Sequence, residues 1–170
     1  MKKENRNAHN MMPEPIYSDI VAIAREIART AHQGQFDKAN QPYIRHPDAV
    51  SRIAVENLRD RPAVSDTFRQ QVRIVSLLHD VIEDTSVTID DLRECKIPEA
   101  CLKAVSLLTK EKDQDYWEYL TAIKQNELAR AVKIADMTHN SDLSRLSTIS
   151  EADLVRRDKY RKEIDYLTAE

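Results

Sequence analysis

The stretch Ile74-Val75-Ser76-Leu77-Leu78-His79-Asp80-Val81-Ile82-Glu83-Asp84-Thr85 decides the fold. From Ile74 to Leu78 it is apolar nearly all round, and a helix with no polar face is a buried one. This predicts a central helix that ends on His79 and Asp80. A charged pair in that place needs a partner, because an unpaired buried charge is very costly. If the helix continues, Glu83 lies one turn from His79 and Asp84 one turn from Asp80. A histidine and three carboxylates then share one side of a helix end. The carboxylates repel each other, and a divalent cation would relieve the repulsion while taking the imidazole as a nitrogen ligand. Imidazole with carboxylate suits manganese, iron, zinc or magnesium. Such a site with an open position activates water toward phosphorus. Taken alone, the same residues also fit an ordinary helix-end ion pair.

Outward from this segment the chain reads as helices throughout. Upstream, Ser65 is placed to cap the central helix, whose inner face carries Phe68, Val72, Val75 and Leu78. Before it, Pro47 fits the first turn of a helix with Val50, Ile53, Ala54 and Leu58 on one face. Gln35 to His46 has no period and contains Pro42, which predicts a loop. The first helix is expected to be capped by Ser18, to bury Ile20, Ile23 and Ile27, and to end with Gly34 at C′. Residues 1–15 are polar, contain Pro13 and Pro15, and read as a flexible N-terminal arm on which His9 is solvated.

Downstream, Thr88 and Asp91 have capping-box spacing, as do Ser150 and Asp153. Pro98 opens a helix with Leu102, Val105 and Leu108. Tyr116, Tyr119, Leu120 and Ile123 mark the next. Leu128, Ala131, Val132 and Ala135 mark another, leading into Asp136, and Tyr160, Ile164 and Leu167 form a stripe on the last.

Composition agrees with an all-α fold in a single domain over 16–170. The chain has 170 residues and one glycine, Gly34, too few for a sheet rich in primed turns or for a Gly-rich phosphate loop. Its formal net charge of −3, with both signs mixed, argues against a nucleic-acid backbone binder. No apolar run approaches a bilayer span, and none follows Met1-Lys2-Lys3, so a cytoplasmic protein is expected. Cys95 and Cys101 match no zinc or redox spacing and read as reduced thiols without a special role.

Two further places put histidine or aspartate where a packed domain rarely wants them unpartnered. One is Pro42-Tyr43-Ile44-Arg45-His46-Pro47. The other is Lys133-Ile134-Ala135-Asp136-Met137-Thr138-His139-Asn140. Singly, His46 fits a loop histidine and Asp136 an interhelical salt bridge. Together with Ala31-His32-Gln33-Gly34-Gln35 and Leu77 to Thr85, in this order, the chain resembles the HD phosphohydrolase superfamily. It is most similar to the hydrolase domain of RelA/SpoT-type enzymes and the stand-alone small alarmone hydrolases.

The resemblance implies an all-α HD-type domain around a metal, usually manganese, held by His46, His79, Asp80 and Asp136. It implies Glu83 and Asp84 as the pair that positions or deprotonates the attacking water. It also implies that Lys38, Asn140 and Tyr160 contact a nucleotide, from which pyrophosphate is removed at the 3′ position of guanosine alarmones. His139 has no ligand role in the family and is expected to pack beside the site; His32 is expected to be structural.

The chain departs from the pattern at three places. Asp37 stands where the family has an arginine that stacks on guanine, Ala39 replaces a small polar residue, and Met137 replaces a basic one. The metal chemistry is untouched by these changes. The nucleotide they imply is open between an alarmone and another, such as a nucleoside monophosphate or NADPH. A nucleotide-binding HD module without turnover is the reading from a different class.

Overall fold

The computed structural model describes residues 16–169; the arm at 1–15, with His9, lies outside them. The described residues form helices α1 (Tyr17–Ala31), α2 (Arg45–Glu56), α3 (Asp66–Leu78), α4 (Val81–Asp84), α5 (Ile89–Glu94), α6 (Glu99–Leu108), α7 (Tyr116–Lys124), α8 (Glu127–Ser141) and α9 (Glu151–Thr168). A single 3-10 turn, Leu143–Arg145, links α8 to α9. Among the described residues there is no strand beyond an isolated bridge between Phe36 and Pro42. No described helix is long and apolar enough to cross a membrane.

The central helix is α3, which packs on α1, α2, α6 and α8. Val72, Ile74, Val75, Ser76, Leu77 and Leu78 are all buried, as the sequence predicts. Ser65 caps it, its hydroxyl accepting from the Phe68 N–H at 3.1 Å. Both expected capping boxes form, at Thr88/Asp91 and Ser150/Asp153. Helix α8 crosses α2 and α3 and carries Asp136 to the centre of the molecule.

Several local expectations are corrected. Ser18 does not cap α1. The helix starts two residues earlier, at Tyr17 after Ile16, which offers no side-chain cap. The inner face of α1 is Ile20, Ala24 and Ala28, with Ile23 39% exposed. The small alanines let α1 lie close against α3, and an isoleucine one turn round falls outside that contact. Gly34 does take a left-handed conformation, with φ +81°, which suits glycine. However, α1 ends at Ala31 with His32 as C-cap, so Gly34 is one place beyond C′. The loop before α2 is shorter than expected, because α2 begins at Arg45 and includes His46.

The largest correction concerns α3, which does not run on through Glu83. It stops at Leu78, and His79 (φ −60°, ψ −32°) and Asp80 (φ −102°, ψ −6°) form a break before α4. Only the Asp84 N–H to Asp80 carbonyl bond, 2.9 Å, keeps a helical link across the start of α4.

Candidate active site

The break at the end of α3 places His79 and Asp80 against His46 from the first turn of α2 and Asp136 from the middle of α8. His79 Nε2 lies 3.1 Å from Asp80 Oδ2 and 3.8 Å from Asp136 Oδ1. His46 Nε2 lies 3.2 Å from His79 Nε2, 3.4 Å from Asp80 Oδ2 and 3.3 Å from Asp136 Oδ1. His46, His79 and Asp80 offer donor atoms that all lie within 4.8 Å of one another. Asp136 joins the group through its Oδ1, which faces Nε2 of both histidines. The four side chains expected to hold a metal are therefore together.

Each imidazole is turned so that Nε2 faces the cluster. His79 Nδ1 donates to the Ser76 carbonyl at 2.7 Å. His46 Nδ1 pairs with His139 Nδ1 at 2.8 Å. Burial, helped by the nearby Arg145 and His46, lowers the His139 pKa to about 4, so His139 is neutral, and the two Nδ1 atoms share one hydrogen bond. With Nδ1 of each ring engaged in a hydrogen bond, the remaining nitrogen is the one available to a cation. His139 touches a ring of the cluster and not its centre, in keeping with a packing role.

The cluster attracts positive charge. Burial opposes an imidazolium at His79, yet the Asp80 and Asp136 carboxylates override it and push its pKa up to about 10. Burial likewise opposes ionisation of Asp80, and the adjacent His79 charge outweighs it and holds the carboxyl well below its usual range. Two nitrogens and two carboxylates converging in a buried space, and binding protons this strongly, fit a divalent cation of the borderline or hard kind.

Asp136 is held from both sides. Lys133 Nζ lies 3.0 Å from Oδ2, and Asn140 Nδ2 donates to Oδ1 at 2.7 Å. Burial works against a charged Lys133, but the Asp136 carboxylate more than offsets it and raises its pKa. Tyr43 donates to Asp80 Oδ2 at 2.6 Å and lies 3.3 Å from Asp84 Oδ2.

The two expected acid–base residues diverge. Asp84 reaches the cluster edge through the shared Tyr43 hydroxyl, and its carbonyl accepts from Gln35 Nε2 at 3.1 Å. Glu83 turns away and accepts from the Lys110 backbone N–H at 3.2 Å. The break after Leu78 explains why the four-residue patch expected from a continuous helix does not form.

A cavity of about 360 Å³ opens over the cluster, lined among others by His46, Asp80 and Asp136. All three expected nucleotide contacts, Lys38, Asn140 and Tyr160, line it. So do Tyr43, Arg145 and Arg156, which the sequence does not single out for any role. Tyr43 stands inside one of the quoted strings, but a phenol gives no spacing signal. Arg145 follows α8 in an aperiodic segment.

Two of the three departures take on a different meaning. Met137 is fully buried in the core and does not line the cavity, so no substrate contact is missing there. Asp37 does line it, but its carboxylate is engaged. Oδ1 accepts from the Ala39 and Gln41 N–H groups at 2.9 and 2.8 Å, and Oδ2 pairs with Arg145.

Residues 43–141 match the HD domain family. Among curated proteins, the chain is 34% identical over 124 residues to the guanosine-3′,5′-bis(diphosphate) 3′-pyrophosphohydrolase of Haemophilus influenzae, covering 67% of this chain and 17% of that protein. It is also 34% identical over 124 residues to the bifunctional (p)ppGpp synthase/hydrolase SpoT of Escherichia coli, covering 67% of this chain and 16% of the relative. A Borreliella burgdorferi protein with the same printed name as the first is 29% identical over 176 residues, covering 93% of this chain and 24% of its own length. The chain thus spans about a sixth to a quarter of the relatives it matches. The matched segment opens on Tyr43, closes just after Asn140 and contains each of the four clustered side chains: the chain belongs to the HD domain family.

Proposed function

We propose that this chain is a cytoplasmic, metal-dependent phosphohydrolase acting on a nucleotide, with removal of 3′-pyrophosphate from a guanosine alarmone as the reaction to test first. The observation that carries it is the convergence of His46, His79, Asp80 and Asp136 beneath a cavity lined by Lys38, Asn140 and Tyr160. The printed names of the relatives point the same way.

In this proposal the four clustered side chains hold a divalent cation, manganese by preference, which supplies Lewis-acid stabilisation of phosphoryl oxygen and acidifies water. Asp84 takes the proton of the attacking water, the water oxygen bonds to phosphorus, and the bond from phosphorus to the leaving oxygen breaks. Tyr43 holds Asp84 and Asp80 in fixed relation. Glu83 fixes the Lys110 loop beside them. Lys38, Asn140 and Tyr160 orient the nucleotide.

Manganese-loaded protein should release pyrophosphate from guanosine alarmones, and the Asp80→Ala variant should not. Phosphate release from a nucleoside monophosphate or NADPH instead would keep the phosphohydrolase and discard the alarmone. Bound manganese with no turnover of any of these would leave a nucleotide-binding module. Tyr43→Phe should lower activity or manganese affinity by about 10–100-fold, the usual effect of losing a group that orients a metal ligand. Equal activity and equal metal affinity in Tyr43→Phe would show that the bridge to Asp84 has no role.

A further inference from the structure

Asp37 stands where the resembling enzymes carry a cation, yet the cavity does not lack one in that place. Arg145 Nη1 lies 3.3 Å from Asp37 Oδ2, with side chains only 27% and 14% exposed. The two residues are 108 apart in sequence and meet at the wall of the cavity over the metal-ligand cluster.

Both ends of this pair are built in. Asp37 Oδ1 accepts two backbone N–H groups of its own loop, from Ala39 and Gln41, and Asn40 between them takes the left-handed conformation (φ 55°) that asparagine tolerates. Arg145 lies on the 3-10 turn that Asp142 caps, accepting from Ser144 N at 3.0 Å and Ser144 Oγ at 2.6 Å. The acidic lining residues Asp37 and Asp142 are thus engaged with the protein itself and do not confront a ligand as free charges. Arg156, the other arginine of the lining, is tied to Asp153. Arg145 keeps a donor to spare, since its guanidinium is paired through Nη1 only and its side chain is partly exposed at the cavity wall.

On the premise that this cavity takes the substrate, we infer that Arg145, positioned by Asp37, binds a phosphate group of that substrate. The guanidinium is pinned through one nitrogen and offers the rest of its fork in a cavity shared with His46, Asp80 and Asp136. Planar donors in a partly buried setting suit phosphate oxygen. Asp37 is a positioning residue and makes no contact with the nucleotide.

The test is calorimetric titration of ADP and of GDP into the manganese-loaded full chain. These probes share their anionic group, differ in base, and have no 3′-phosphate to hydrolyse. Arg145→Ala should weaken both by about 10–100-fold, as for loss of a hydrogen bond to a charged group. Arg145→Gln, which keeps side-chain length, should weaken both by about tenfold and serves if the alanine variant fails to fold by circular dichroism. Asp37→Asn should weaken both probes in the wild-type background and have no further effect in Arg145→Ala, the signature of action through Arg145. Affinities within about twofold of wild type in folded Arg145 variants would overturn the inference. So would a loss confined to one of the two bases. If wild type turns over no substrate but the Arg145 dependence holds, the hydrolase assignment fails and this inference stands.

Discussion

Asp136→Ala should destabilise the protein by about 3–5 kcal/mol when measured by urea unfolding in the presence of a chelator. The cause is the partner left behind. Lys133 is charged and only 18% exposed, and its ammonium group lies 3.0 Å from the Asp136 carboxylate that the substitution removes. Asn140 loses its acceptor at the same time. Removing one member of a buried pair leaves an uncompensated charge, whereas replacing both with apolar groups is often neutral. The double variant Asp136→Leu/Lys133→Met should therefore recover most of the loss. Manganese should stabilise wild type in proportion to the logarithm of its concentration and should no longer do so in Asp136→Ala. A cost below about 1 kcal/mol would show that Lys133 does not depend on this carboxylate.

Asp84→Asn should lower kcat by about 10²–10⁴-fold, the contribution of a positioned general base, with manganese affinity retained. Asn keeps the shape and an acceptor for the Tyr43 hydroxyl but cannot take a proton. Glu83→Gln, remote from the shared hydroxyl and facing Lys110, should cost far less. If Glu83→Gln proves the more damaging change, the roles of the two carboxylates must be exchanged. Loss of metal from Asp84→Asn would instead make Asp84 part of the cation's support.

The helical fold and the meeting of His79 and Asp80 at the end of its central helix were legible because both rest on local chemistry. An apolar run that ends on His79-Asp80 announces a buried helix with charge at its tip, and α3 is that helix. Capping residues at Ser65, Thr88 and Ser150 mark helix starts through hydrogen bonds that reach only three residues. Ile23 misled because periodicity reports a stripe, while burial depends on where the neighbouring helix lies. The stop after Leu78 carries no glycine or proline and was invisible. That Met137 is buried in the core was not legible, because position next to Asp136 says nothing about which side of α8 a residue faces. Arg145 was missed for a different reason: its partner Asp37 is 108 residues away, and neither lies in a periodic segment. The spacing Asp142-x-Ser144, which suits a side-chain cap on a tight turn, was the one local clue that this stretch is ordered.

The interruption between α3 and α4 has a consequence for coordination. On an unbroken α-helix, adjacent side chains splay by roughly 100°, so a His-Asp dipeptide would aim its two groups apart. Here both residues keep right-handed torsions, and their side chains nevertheless bring Nε2 of one and Oδ2 of the other to 3.1 Å. In the proposed metal site, two neighbouring residues would thereby act as a single chelating unit.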